Sequence, residues 1–407
     1  MAAEHKQLTV VGKPYWAVFA LFLILVFLGG LAAFAMEHEG HVITGMDNQV
    51  VWGLPHVFAV FLIVSASGAL NVASIGTVFG RTDYKPFAPL SGISAISLLV
   101  GGLSVLVLDL GRPDRLIVAM THYNFKSIFA WNVMLYSGFV AVVAGYLYTL
   151  MYRPVEQYSK KVGLFAFVWR LTLTTGTGSI FGFLIGREAF GTAFLGPLFV
   201  VYSLAYGMAV FLLLLNGSSY LQGERLNSEI QRRFSRLFLY FILLIAYSLA
   251  VFHATNLYFS KQHAAQEFVL WSGEPVSWWF WIAQVGLGLC LPAGLLLRRP
   301  NSRAVINVSA LLVVFGGLSQ MYVTIVGSQL LPQDLFPGYV VSSSFYDGMI
   351  HKYSPSIYEW LLGFGGVGVA GSLLWLALRV LPFLPKFEAS GPSSAVTDDA
   401  MAPVQPT

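Results

Sequence analysis

Cysteine is almost missing: Cys290 is the only one in 407 residues. That excludes an internal disulfide, an iron–sulfur cluster held by four cysteines of this chain, and a c-type haem attachment. Charge is scarce too, at 10% Asp, Glu, Lys and Arg against 57% hydrophobic residues. A chain so poor in charge cannot hide its apolar surface in one soluble core. The net charge of +4 argues for no nucleic-acid partner, because the basic residues are scattered through short connections and form no stripe.

What is present is a series of long apolar runs. A helix needs about 20 apolar residues to cross the hydrocarbon. Ten windows meet that length, at 14–36, 52–79, 88–108, 128–151, 163–186, 193–215, 236–257, 277–297, 304–327 and 358–381. Uninterrupted runs fit helices, whose backbone groups are satisfied internally, better than the alternating segments of a barrel. The expected fold is therefore an all-α integral membrane protein with about ten transmembrane helices. The first run, preceded by Lys6 and Lys13 and ending Ala33-Phe34-Ala35, imitates a signal peptide. Its apolar core exceeds the ~7–15 residues of such a peptide, so it is read as the first span.

Basic residues orient the spans. Sixteen Lys and Arg lie in one set of alternate connections and termini, six lie in the other, and Arg170 falls inside the fifth span. The positive-inside rule puts both termini in the cytoplasm. Of eight histidines only His5 is then cytoplasmic, and His38, His41, His56, His122, His253, His263 and His351 belong to the opposite, periplasmic half. Arg170, about 10 Å from the cytoplasmic start of its helix at 1.5 Å per residue, is expected to snorkel toward water. Arg187 with Glu188, and Glu359, read as interfacial charges. Residues 1–384 form one polytopic domain, and 385–407, small, polar and proline-rich, read as a disordered cytoplasmic tail.

A shift of about 140 residues lays Leu184–Pro197 on Ile325–Gly338, and VFLIVSASGAL in the second span on FVVYSLAYGMA in the sixth. It moves four spans onto four with the same orientation. That implies two parallel-repeat bundles, spans two to five and six to nine, flanked by the first and tenth.

Against this apolar background, LVLDLGRPDRLIVAMTHYNFKS (Leu106–Ser127) gathers Asp109, Arg112, Asp114, Arg115, His122 and Lys126 in one periplasmic connection. Together with WGLPHVFAVFLIVSASGALNVASI in the second span, the strings LDLGRPDRL and THYNFKSIFAWNV resemble the NrfD/PsrC family of quinone-interacting membrane subunits. Within it the wording is most similar to the DsrP type, from the DsrMKJOP complexes of sulfur-metabolising prokaryotes. The likeness covers nearly the whole chain except the tail. It implies electron exchange between the membrane quinone pool, menaquinone or ubiquinone, and a periplasmic iron–sulfur protein resembling DsrO. DsrJ, DsrM and DsrK would be further partners in the bacterial inner membrane, and this chain would not itself act on sulfur compounds. No haem or cluster is expected in the chain itself.

Quinol oxidation releases two protons and two electrons, so a site needs hydrogen-bonding groups at the ring oxygens and a nearby acid or base. His56, after Pro55 at the start of the second span, is the first candidate for both roles; its bland alternative is an interfacial histidine packing a helix end. Asp109 could accept protons or simply pair with Arg112 or Arg115. The resemblance names Asp109 and Arg112 as secondary site residues and implies that one or two of His122, Tyr123, Asn124 and Ser127 bond the quinone head. Those four read equally well as a capping segment. Two other functions compete. A b-type haem cytochrome would draw on His56 and His253 as axial ligands, but the cytoplasmic side offers no helical histidine to pair with them. A secondary transporter would need acidic or broken-helix groups at the bilayer midplane, and no midplane acid is found in the sequence.

Overall fold

The computed structural model describes residues 5–9, 12–224, 226–332 and 349–386. Most of the tail, and the far end of the repeat segment Ile325–Gly338, lie outside them. Among the described residues nine helices are long and apolar enough to cross a membrane. They are α1 (Lys13–Glu39), α2 (Leu54–Thr77), α3 (Thr82–Leu108), α4 (Ile128–Met151), α6 (Leu195–Leu221), α7 (Ser228–Tyr258), α8 (Pro275–Arg298), α9 (Arg303–Leu330) and α10 (Ile357–Val380). The remaining expected span is α5 (Ser159–Gly182), equal in length to α4 but diluted by threonine, glycine and Arg170. Nine crossings would leave the termini on opposite faces. Instead a two-residue strand β1 (His5–Lys6) pairs antiparallel with β2 (Leu384–Pro385), so the number of crossings is even and α5 makes the tenth.

The helices pack as two rings, α2–α5 and α6–α9, with α1 and α10 paired outside the first. Helix α2 is the hub: 94% of its apolar window is buried, against 17% for α1, which faces outward. The rings meet where α2 crosses α6 at Gly68 and Gly207. These glycines coincide in the repeat alignment, and in space each one's missing Cβ would strike the other helix's backbone. Without a hydrophobic force between helices in lipid, such close backbone approach supplies the packing energy. The α1–α10 seam uses the same device, where a Cβ on Gly29 would lie 2.6 Å from the Gly365 Cα.

Helix α2 is interrupted at Leu70. The cause is Ser91 of α3, whose hydroxyl donates to the Ala69 carbonyl at 2.6 Å and accepts from the Ala73 N–H at 3.1 Å. A side chain has entered the helical ladder and replaced one of its bonds. Arg170 does not snorkel: it is 2% exposed, its guanidinium lies 4.8 Å over the Phe167 ring, and Nε and Nη1 meet no acceptor. Its helix face explains this, because Arg170 and Thr174, one turn apart, form the face turned to Ser67 of α2. A side chain pointing into the bundle cannot follow the helix out to water.

Candidate functional site

The start of α2 has no side-chain cap of its own; Pro55 sits in its first turn, where a missing N–H costs nothing. Its orphan donors are met from far along the chain. The Leu54 N–H donates to the Tyr353 hydroxyl at 2.7 Å and to Glu359 Oε2 at 3.3 Å. Glu359 is fully buried and also accepts from the N–H groups of Gly45 (2.6 Å) and Ser356 (2.9 Å) and from the Tyr353 hydroxyl. It is a buried capping carboxylate and not the expected interfacial charge. Burial, with the Glu359 charge beside it, pushes the Tyr353 phenol well above its ordinary value.

A second clamp holds Trp52. Gln329 Oε1 accepts from the N–H groups of Val51 (3.0 Å) and Trp52 (3.1 Å), and its Nε2 donates to the Trp52 carbonyl at 2.9 Å. Arg187, expected to pair with Glu188, instead donates to the carbonyls of Gln49 (2.6 Å) and Gln329 (3.3 Å). Burial lowers its pKa and the nearby Asp47 charge opposes that shift. Asp47 in turn meets His351 Nε2. Burial pushes the Asp47 carboxyl up, but the Val50 and Gln49 N–H groups together with His351 outweigh it and hold it below its usual range.

These clamps fix the wall of a cavity of about 410 Å³ between α2, α3, α4 and α5, within the range of small-molecule pockets. Its lining is mostly apolar, including Val60, Leu106, Met120, Phe129 and Phe181. The Trp52 ring stands edge-on to Phe181 at 5.6 Å and 6.1 Å from the His56 ring. The polar groups are few: His56 on α2, Asn132, Tyr136 and Ser137 on α4, and Thr177 on α5.

Behind His56 stands Asp109. Its Oδ2 is 2.7 Å from His56 Nδ1, with the carboxylate 1% and the imidazole 20% exposed. The contact does not have hydrogen-bond geometry, and neither Asp109 oxygen meets another donor, so the carboxylate faces the imidazole alone and is placed to stabilise a positive charge that forms on it. Opposite them, Asn132 Nδ2 donates to the carbonyls of Ile128 (2.9 Å) and Gly176 (3.1 Å), which leaves its Oδ1 buried without a partner. Thr177 donates to the Leu173 carbonyl, so the Tyr136 hydroxyl, 3.1 Å from Thr177 Oγ1, is the donor of that pair and keeps lone pairs free. The cavity thus presents one titratable ring and several spare acceptors to whatever occupies it.

Of the residues expected from the sequence, the structure joins His56 and Asp109 and sets the others apart from the cavity lining. Arg112 is exposed and makes a forked bond to Asp114 (3.0 and 2.9 Å), which holds the Asp114 carboxyl low. Asp109 therefore pairs with neither Arg112 nor Arg115. His122 is exposed against Thr121, the Asn124 side chain accepts from the Lys126 N–H, Tyr123 stacks on Phe125, and Ser127 precedes α4 without a capping bond. The Leu106–Ser127 connection does line the cavity, through apolar Leu106, Val107, Leu110, Leu116 and Met120. Sequence reasoning missed Asn132 and Tyr136, though polar residues four apart in an apolar run mark one helix face. Nothing local marked Trp52 or Gln329. His56 and His253 line two different cavities, and no group of three or more metal-ligating side chains occurs among the described residues.

The polysulphide reductase, NrfD family matches residues 42–333. Over 390 residues the chain is 25% identical to the Hdr-like menaquinol oxidoreductase integral membrane subunit of Archaeoglobus fulgidus, covering 95% of this chain and 98% of that one. It is 21% identical to a selenate reductase subunit of Mesobacillus selenatarsenatis (92% and 95% covered). It is 26% identical to a putative dimethyl sulfoxide reductase membrane subunit of Halobacterium salinarum (95% and 94% covered).

Proposed function

The chain belongs to the polysulphide reductase NrfD family, and from that premise we propose that it is the quinone-reactive membrane subunit of an oxidoreductase complex. The observation that carries this reading is the cavity itself: apolar walls sized for a quinone head, with His56 at its edge and Asp109 behind. His56 Nε2 takes a proton from a quinol hydroxyl, and the Asp109 charge stabilises the imidazolium that results. Asn132 Oδ1 or the Tyr136 oxygen accepts from the second hydroxyl. Asn132 and Tyr136 only hold this second hydroxyl; its proton leaves to water, and the two electrons pass to the iron–sulfur partner. Run in reverse, His56 supplies one proton to the reduced quinone and water supplies the other. The menaquinol in the name of the Archaeoglobus fulgidus relative supports menaquinol as the substrate.

The electron partner is an iron–sulfur protein resembling DsrO at the His56 face, with DsrJ, DsrM and DsrK completing a complex of dissimilatory sulfur metabolism. The motif wording supports this assignment. An azido-menaquinone irradiated with the complex should crosslink to peptides of α2 and α4 and be displaced by unlabelled quinone; crosslinks confined to α6–α9 would refute the site.

The count of sixteen basic residues against six supports an inner-membrane orientation with both termini in the cytoplasm and His56 toward the periplasm. In a Cys290→Ser background, because Cys290 is exposed, Asn301→Cys should react with an impermeant maleimide only from the cytoplasm. Ser272→Cys should react only from the periplasm. The reverse pattern would invert the site.

A further inference from the structure

The second ring repeats most walls of the first cavity, although α8 lends no counterpart to the α4 wall. Where the first cavity is bounded by the start of α2, the end of α3, the short helix Leu116–Thr121 and the end of α5, a second lies between the matching elements. These are the start of α6 (Leu198, Tyr202), the end of α7 (His253), the short helix Ser260–Trp271 (Gln266, Val269) and the end of α9 (Thr324, Ser328). Its volume is only about 30 Å³. Two of its lining residues bond to each other, with Gln266 Oε1 2.6 Å from His253 Nδ1.

The chemistry of this space is unlike its size. The Tyr202 hydroxyl, on a residue with 0% exposure, meets no partner at all. Thr324 Oγ1 accepts from Gln320 Nε2 at 2.9 Å, which leaves its own proton unused, and Ser328 makes no side-chain hydrogen bond among the described residues. The wall that carries Thr324 is a π-helical turn, Val323–Gly327, a distortion frequent at functional sites. A hydroxyl buried without a partner, as that of Tyr202 is, is costly. A water needs roughly 10–15 Å³ of such volume and two to four polar partners, and this cavity supplies both.

We propose that the second ring holds an internal water site, one or two molecules bound by Tyr202, Thr324 and Ser328 beside the Gln266–His253 pair. It is the hydrated counterpart of the larger cavity in the first ring. The inference does not depend on what the larger cavity binds.

X-ray hydroxyl-radical footprinting of the full chain tests it, because radicals formed from bound water oxidise the nearest side chains. Tyr206 is an internal control: it stacks on Tyr202 at 5.8 Å and is slightly more exposed, 3% against 0%. Exposure alone would make Tyr206 the more reactive. The water site predicts the opposite, with Tyr202 oxidised several-fold faster. Thr324→Val with Ser328→Ala, which keeps the shape but removes two partners, should bring Tyr202 down to the Tyr206 rate. Equal rates in the unsubstituted chain would show a dry cavity and overturn the proposal. Fast oxidation of Tyr202 that survives the double substitution would overturn the assignment of Thr324 and Ser328 as the binding groups.

Discussion

Replacing His56 with alanine should slow quinol oxidation by about 10²- to 10⁴-fold, the usual worth of a positioned general base. Loss of the ring-oxygen hydrogen bond, about 0.5–3 kcal/mol, weakens quinone binding in addition. An interfacial imidazole can be solvated by water when free, which by itself would make the position cheap to vacate. Asp109 raises that cost: its carboxylate is 1% exposed and faces the imidazole, so without His56 it is left buried with no polar side chain beside it, a loss of about 1–3 kcal/mol. His56→Ala should therefore be destabilised as well as inactive. The double variant His56→Ala/Asp109→Asn should recover part of the stability and none of the activity. Asp109→Asn alone keeps the shape and removes the charge that supports the imidazolium, so its turnover should fall while quinone affinity changes little. Quinol:acceptor assays and thermal melting of the purified complex separate these effects. If His56→Ala turns over normally while Asp109→Asn is dead, the carboxylate is the base; if both are normal, the cavity is not the site.

Gly207→Leu should prevent the chain from accumulating in a folded state. Overpacking usually costs about 1–3 kcal/mol because neighbouring side chains can shift. Here the neighbour is the Gly68 backbone itself, which cannot move without parting α2 from α6. The separation would reach both rings, since α2 carries His56 and α6 carries Tyr202. Gly217→Leu is the matched control on the same helix: nothing lies within 4 Å of the position a Cβ would take there. Detergent-extracted yield and size-exclusion profile should be near normal for Gly217→Leu and lost for Gly207→Leu. A monodisperse Gly207→Leu protein with an unchanged melting temperature would show that the glycine crossing is not what joins the rings.

The chain's own order of residues determined the helices and much of their arrangement. Apolar runs of membrane length have only one good backbone solution in lipid, and they reappear as helices within a few residues of where they were expected. The repeat was legible because two pairs of segments align at one shift, although the contact of Gly68 with Gly207 inside one of those pairs was not. His56 stood out as an ionisable group beside a proline at the head of an apolar run, and Asp109 as a carboxylate at the foot of another. What joins these two is decided only by the tertiary fold. Local reading offers Asp109 the arginines three and six residues on, whereas the packed α2 and α3 give it the imidazole and leave Arg112 to Asp114. Arg170 was misjudged for the same reason, since depth along a helix is written in the sequence and the direction in which a helix face points is not. The Glu359 and Gln329 clamps bring together residues about 280–300 positions apart. A hydrogen bond formed across such a separation has no period or spacing to announce it; it exists because packing α9 and α10 against the head of α2 buries backbone donors that need acceptors.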